Sequence, residues 1–97
     1  MAALLRIDEL DAALRDQLTE WRVEGDTLIR SIEADSFAAG IRLVDAVAAA
    51  ADERNHHPDI DIRWTTVTFR LSSHSDGGLT GKDLDLAAEI DRLASAA

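Results

Sequence analysis

Asp59-Ile60-Asp61-Ile62-Arg63-Trp64-Thr65-Thr66-Val67-Thr68-Phe69-Arg70-Leu71 carries two strand patterns back to back. Ile60, Ile62 and Trp64 alternate with charged residues; Val67, Phe69 and Leu71 alternate with polar ones. A period of two marks a strand with one face buried. The phase slips by one at Thr65-Thr66, so two strands meet there at a tight turn or bulge. A second such pair lies upstream, in Trp21-Arg22-Val23-Glu24-Gly25-Asp26-Thr27-Leu28-Ile29-Arg30-Ser31-Ile32-Glu33, around a Glu-Gly-Asp turn.

Between and around these pairs the period lengthens. Leu10, Leu14 and Leu18, from Asp8 onward, form one stripe of an amphipathic helix. Ser36 is placed to cap a second helix running to about Asp52, with Phe37, Ile41, Val44, Ala48 and Ala51 as its expected buried face. Its alanines at 48–51 would let it lie close to a sheet. Asn55-His56-His57-Pro58 ends it, because proline lacks an N–H and disfavours helical geometry in the residue before it. Ser75-Asp76-Gly77-Gly78 reads as a loop after a last strand that His74 ends. Thr80-Gly81-Lys82-Asp83 then opens a third helix in which Leu86, Ile90 and Leu93 form the apolar stripe. The order helix, two strands, helix, two strands, helix predicts an α+β fold, with an antiparallel sheet carrying its helices on one face.

The 97 residues, with no repeat or linker, predict a single domain over 1–97. The hydrophobic fraction is 46% but aromatics are only 4%, so the core is thin and oligomerisation is an expected source of stability. A net charge of −9 argues against nucleic acid and anionic membranes as partners. No apolar run approaches the ~18 residues of a membrane span, and charge comes too early for a signal peptide, so a cytoplasmic location is expected. With no cysteine there are no disulfides or thiolate metal sites.

His56, His57 and His74 are the only histidines. Two end a helix and one ends a strand, and in an antiparallel sheet such ends converge on one rim. Imidazoles gathered there suit acid–base chemistry near neutral pH. Each has a plainer reading: His-His-Pro is a helix stop, Asp83 is the third position of a capping box, and Trp21 and Trp64 are core or pocket wall. Adjacent histidines diverge, and no His-x-x-x-His spacing is present, so no metal site is expected. Asp52 at a helix C-terminus stands against the helix dipole, which suggests a second duty such as orienting a histidine.

At these residues the chain resembles the pterin-4a-carbinolamine dehydratases, also called 4a-hydroxytetrahydrobiopterin dehydratases. The resemblance rests on His56-His57-Pro58, an aromatic at Trp64, Ser73-His74, and Gly78-Leu79-Thr80 followed by Asp83 and Leu86-Ala87, with Trp21 and Phe37 upstream. It spans roughly residues 21–93. It implies a four-stranded antiparallel sheet with three helices on one face. It also implies removal of water from 4a-hydroxytetrahydropterin to give quinonoid dihydropterin, in tetrahydropterin recycling after an aromatic amino-acid hydroxylase. No metal or organic cofactor is implied. His56 and His74 would be the acid and base, in either order, and His57 would orient the ring. Asp83, and Asp52 where relatives often carry glutamate, would hold imidazole tautomers. Asp52, Pro58, Trp64, Ser73 and Trp21 are the implied substrate-binding positions, and a homodimer or homotetramer is the implied assembly. The competing expectation is a non-catalytic interaction partner on the same fold, a coactivator-like dimerisation role. Three histidines and two carboxylates at family spacing favour catalysis.

Overall fold

The computed structural model describes residues 3–96. Its elements run α1 (Ile7–Asp16), β1 (Arg22–Glu24), β2 (Thr27–Glu33), α2 (Phe37–Arg54), β3 (Asp59–Arg63), β4 (Thr66–Leu71), a one-turn 3₁₀ helix (His74–Asp76) and α3 (Gly81–Ala96). The strands form one antiparallel sheet in the order β1-β2-β4-β3. The expected α+β order is therefore the observed one.

Both hairpins close in two residues. Gly25 adopts φ 61° between the paired residues Glu24 and Thr27, a geometry glycine takes at no steric cost. In the second hairpin Arg63 pairs with Thr66, so Trp64 and Thr65 are the turn that the phase slip signalled. Trp64 is thus not the inward strand residue that the alternation suggests. It stands at the tip with φ 53° and is 80% exposed. Few bulky side chains accept a positive φ.

Register sorts the sheet into two faces. Leu28 opposes Leu71, Ile32 opposes Val67, and Ile60 opposes Phe69, which puts the apolar residues of three strands on one side. There they join Leu43 and Val47 of α2 and Leu86 and Ile90 of α3 in one core. Apart from the buried Ile29, the alternate residues are polar: Ser31 and Thr68 share a hydroxyl hydrogen bond of 2.8 Å, and, beside them, Thr65 and Thr66 donate to Glu33.

The buried face of α2 differs from the expected one by about a third of a turn. Gly40, Leu43, Val47, Ala50 and Ala51 are buried, whereas Phe37 is 54% exposed and Ala48 is exposed. Apolar residues occupy two flanks of this helix, and periodicity alone cannot choose between them. Fully burying Leu43 and Val47 is worth about 1.5–3 kcal/mol each, and that flank wins. A close approach to the sheet is made at Gly40, where a Cβ would meet Val67 Cγ2 at 3.3 Å.

Ser36 caps α2 as expected: its Oγ accepts from the Ala39 N–H at 3.0 Å. Replacing it, Ser36→Ala, is expected to lower unfolding free energy by about 1 kcal/mol in urea titrations, with the slope unchanged. At the other end the stop is made by Asn55 rather than by Pro58. Asn55 is left-handed at φ 49°, and the His56 N–H returns to the Ala51 carbonyl at 3.1 Å. This turn aims His56 back under the sheet end and leaves His57 facing outward.

Candidate active site

The start of α3 builds the centre. Thr80 precedes the first helical turn, and its N–H donates to Asp83 Oδ2 at 2.9 Å, half of a capping box. The Lys82 N–H donates to Thr80 Oγ1 at 3.2 Å. Ser73, on the segment after β4, donates its hydroxyl to Asp83 Oδ2 at 2.8 Å and lies 2.8 Å from Thr80 Oγ1. Each hydroxyl has one proton, so the direction is settled: Thr80 donates to Ser73, and Ser73 to the carboxylate. The other carboxylate oxygen, Oδ1, lies 2.7 Å from His56 Nε2.

This arrangement fixes an imidazole. Asp83 is fully buried and the His56 side chain is 12% exposed. An ionised carboxylate only accepts, so His56 donates through Nε2. Its Nδ1 is left to accept a proton, or to deliver one when the ring is charged. A buried carboxylate with all its donors in place is a rigid holder for that ring. The two sequence readings of Asp83 coexist, since it caps a helix and holds a histidine.

A second pair sits outside the first. His57 Nε2 lies 2.8 Å from Asp52 Oδ1, with side chains 56% and 78% exposed. The carboxylate placed against the α2 dipole thus faces a histidine, but on an open rim. Pro58 follows, half-buried, at the entry to β3. His74 does not end a strand: β4 stops at Leu71, and His74 opens the 3₁₀ turn. The cause is a reciprocal backbone pair, Ser73 with Gly78, which closes a loop around Gly77 at φ 86°. His74 is exposed, adjacent to the Ser73 that shares Asp83 with His56.

A cavity of about 230 Å³ opens beside His56, lined by Arg54, Lys82 and Asp85. Neither cation was singled out from the sequence, although Lys82 is the chain's only lysine. Each is loosely held from behind: Lys82 Nζ is 3.8 Å from Asp76, and Arg54 is 3.9 Å from Glu89. The hydrogen bond from Arg92 holds the Glu89 carboxyl below the ordinary carboxylate range.

The two tryptophans are not brought to this centre. Trp21 is buried in the core, and its indole N–H donates to Asp91 Oδ1 at 2.8 Å, an oxygen shared with Arg30. It ties the β1 lead-in and β2 to α3. Trp21→Phe keeps the ring and loses that bond, with an expected cost of about 1 kcal/mol by thermal unfolding. Trp64 lies at the far end of β3, seven residues beyond His57 and roughly 20 Å away at strand rise.

The chain is similar to known proteins over most of its length. A profile of the family described as pterin 4 alpha carbinolamine dehydratase matches residues 3–93. A Nocardia farcinica protein named "Putative pterin-4-alpha-carbinolamine dehydratase" is 57% identical over 91 residues, 94% of this chain and 95% of the relative. A Roseiflexus castenholzii protein of the same name is 50% identical over 93 residues, 96% and 99% of the two chains. Among solved structures, a transcriptional coactivator/pterin dehydratase from Brucella melitensis superposes with a TM-score of 0.87 at 25% identity, covering 95% and 99%. A pterin dehydratase-like protein described as a RuBisCO assembly factor in the alpha-carboxysome superposes at 0.63 with 27% identity, covering 76% and 86%. With nearly the whole length matched by the profile and by these relatives, the chain belongs to the pterin-4-alpha-carbinolamine dehydratase family.

Proposed function

We infer that the protein removes water from 4a-hydroxytetrahydropterin, giving quinonoid dihydropterin by histidine acid–base catalysis. One observation carries the reading: His56 is held through Nε2 on a buried, fully bonded carboxylate, with Nδ1 left for a substrate. Family membership supports the dehydratase chemistry in general terms.

The reaction balances on two proton transfers. The C4a–O bond breaks as its oxygen gains a proton and leaves as water. The N5–H proton departs, and its electron pair forms the N5–C4a double bond. Two imidazoles can perform both steps, each contributing about 10²–10⁴-fold. His56 takes one transfer and His74 the other. His57, tied to Asp52, orients the ring together with Pro58 and the Ser73 segment. Nothing in these steps calls for a metal or organic cofactor. The role that follows is tetrahydropterin recycling in the cytoplasm, by a homo-oligomer, downstream of an aromatic amino-acid hydroxylase.

The test is dehydration of chemically prepared 4a-hydroxytetrahydropterin, followed by ultraviolet absorbance. Wild type is expected to accelerate it well beyond buffer, and His74→Ala to lose most of that acceleration. A wild-type rate equal to buffer overturns the reading and leaves a non-catalytic interaction role on the same fold.

A further inference from the structure

Two cations flank His56, and the proton transfers described above use neither. Arg54 closes α2 and Lys82 stands in the first turn of α3, so two elements bring them to one cavity with His56 and Asp85. The chain carries 10 basic side chains against 19 acidic ones, so two in one cavity concentrate a scarce charge. Elsewhere the cations are paired locally: Arg6, Arg15, Arg22, Arg63 and Arg92 each come within 3.2 Å of a carboxylate one to three residues away. Lys82 and Arg54 do not. Lys82 Nζ stays 3.8 Å from Asp76 Oδ2, beyond hydrogen-bond distance, and that buried oxygen has no hydrogen-bond partner. Arg54 stays 3.9 Å from Glu89, whose carboxylate Arg92 already holds, and it gives one N–H to the Ala50 carbonyl at 3.2 Å. Most donors of the two groups thus remain for a third partner.

We propose that Arg54 and Lys82 bind an acid group on the pterin's side chain, so that the substrate class is a 4a-hydroxytetrahydropterin with an anionic tail at C6. This rests on the dehydratase reading and names the substrate class within it. C4a, N5 and C6 are consecutive ring atoms, and His56 serves a proton at one of the first two. A C6 side chain therefore starts within two bonds of the atom facing His56, and the cavity beside that ring receives it. A guanidinium forks onto two oxygens and an ammonium adds a point charge, a combination suited to carboxylate or phosphate. Three carboxylates lie near. Glu89 is committed to Arg92, and Asp76 sits buried behind Lys82. Asp85 lines the same cavity, where it opposes an anion and accepts from hydroxyls on the stem of the tail.

The test compares kcat/KM for three chemically prepared 4a-hydroxytetrahydropterins whose C6 side chains end in methyl, carboxylate or phosphate monoester. Wild type is expected to favour an acidic substrate about 10–100-fold, mainly through KM, the range for charge-assisted hydrogen bonds. A preference for one acid alone supports the proposal and names that acid. Lys82→Met and Arg54→Leu are each expected to cut the preference about tenfold, and Lys82→Arg to keep it. Asp85→Asn is expected to raise it, by removing a like charge from the cavity. The preference is a ratio within one protein, so a variant that folds less well still reports it. Equal wild-type kcat/KM for acidic and neutral substrates overturns the proposal, and the dehydratase reading then stands without the tail site. A preference that persists undiminished in both Lys82→Met and Arg54→Leu overturns it too. Acceleration of none of the three substrates removes the dehydratase reading and the tail site with it.

Discussion

His56→Ala is expected to lower kcat/KM for dehydration by about 10²–10⁴-fold, the usual range for loss of one proton-transfer group. Far-ultraviolet circular dichroism should be unchanged, because only a ring at the cavity edge is removed. The size of the effect follows from how the ring is held. Its Nε2 proton is committed to a carboxylate 2.7 Å away, so Nδ1 is presented in one tautomer and one orientation. Water or buffer entering the vacated space would supply a proton without that alignment. His57→Ala is expected to cost less, since that ring and its Asp52 partner are both more than half exposed and free to reorient. Steady-state rates for the two variants, measured side by side, check the ranking. Equal losses would mean that burial on Asp83 confers no special role on His56.

The second large effect is on stability. Asp83→Ala removes the acceptor for Ser73 Oγ–H, Thr80 N–H and His56 Nε2–H together. Those donors sit in a buried pocket where water cannot replace the carboxylate without opening it. An unsatisfied buried donor costs about 1–3 kcal/mol, and breaking a buried charged network about 3–5 kcal/mol. Thermal midpoints of domains this size move about 4–8 °C per kcal/mol, so a fall of more than about 12 °C is expected by calorimetry. Asp83→Asn should fall between the two, because its single amide oxygen cannot accept from both sides and its NH₂ must face a donor. A midpoint within about 2 °C of wild type for Asp83→Ala would contradict the account of this network.

Much of the fold could be read before any coordinates, and the exceptions have causes. The two hairpins were legible because apolar and polar residues nearly alternate on both sides of each turn, and the slip at Thr65-Thr66 located the second turn to within one residue. What local pattern could not show was that Trp64 belongs to that turn, since a tip tryptophan continues the alternation of Ile60 and Ile62. The Ser36 cap and the Thr80–Asp83 start of α3 were legible because each is a contact over three residues. The rotation of α2 was not, because Phe37, Ile41 and Val44 compete with Leu43 and Val47, and only the sheet's shape at Gly40 decides. His74 was misplaced for a similar reason, as its 3₁₀ turn depends on a backbone pair between Ser73 and Gly78. The Asp83–His56 contact joins elements 27 residues apart. Its participants were nameable from residue type and resemblance, but the hydrogen-bond chain from Thr80 through Ser73 to the Asp83 carboxylate needed the fold.

Chemical rescue of His56→Ala by free imidazole is the most direct test that this ring transfers the proton. The truncated site keeps the Asp83 carboxylate, so imidazole has both a space and an acceptor for one N–H. Dehydration by the variant is expected to rise with imidazole concentration and then saturate, while wild type gains nothing beyond the buffer reaction. A variant that binds imidazole, seen as a raised thermal midpoint, yet shows no recovery would contradict the claim that His56 is the proton-transfer group.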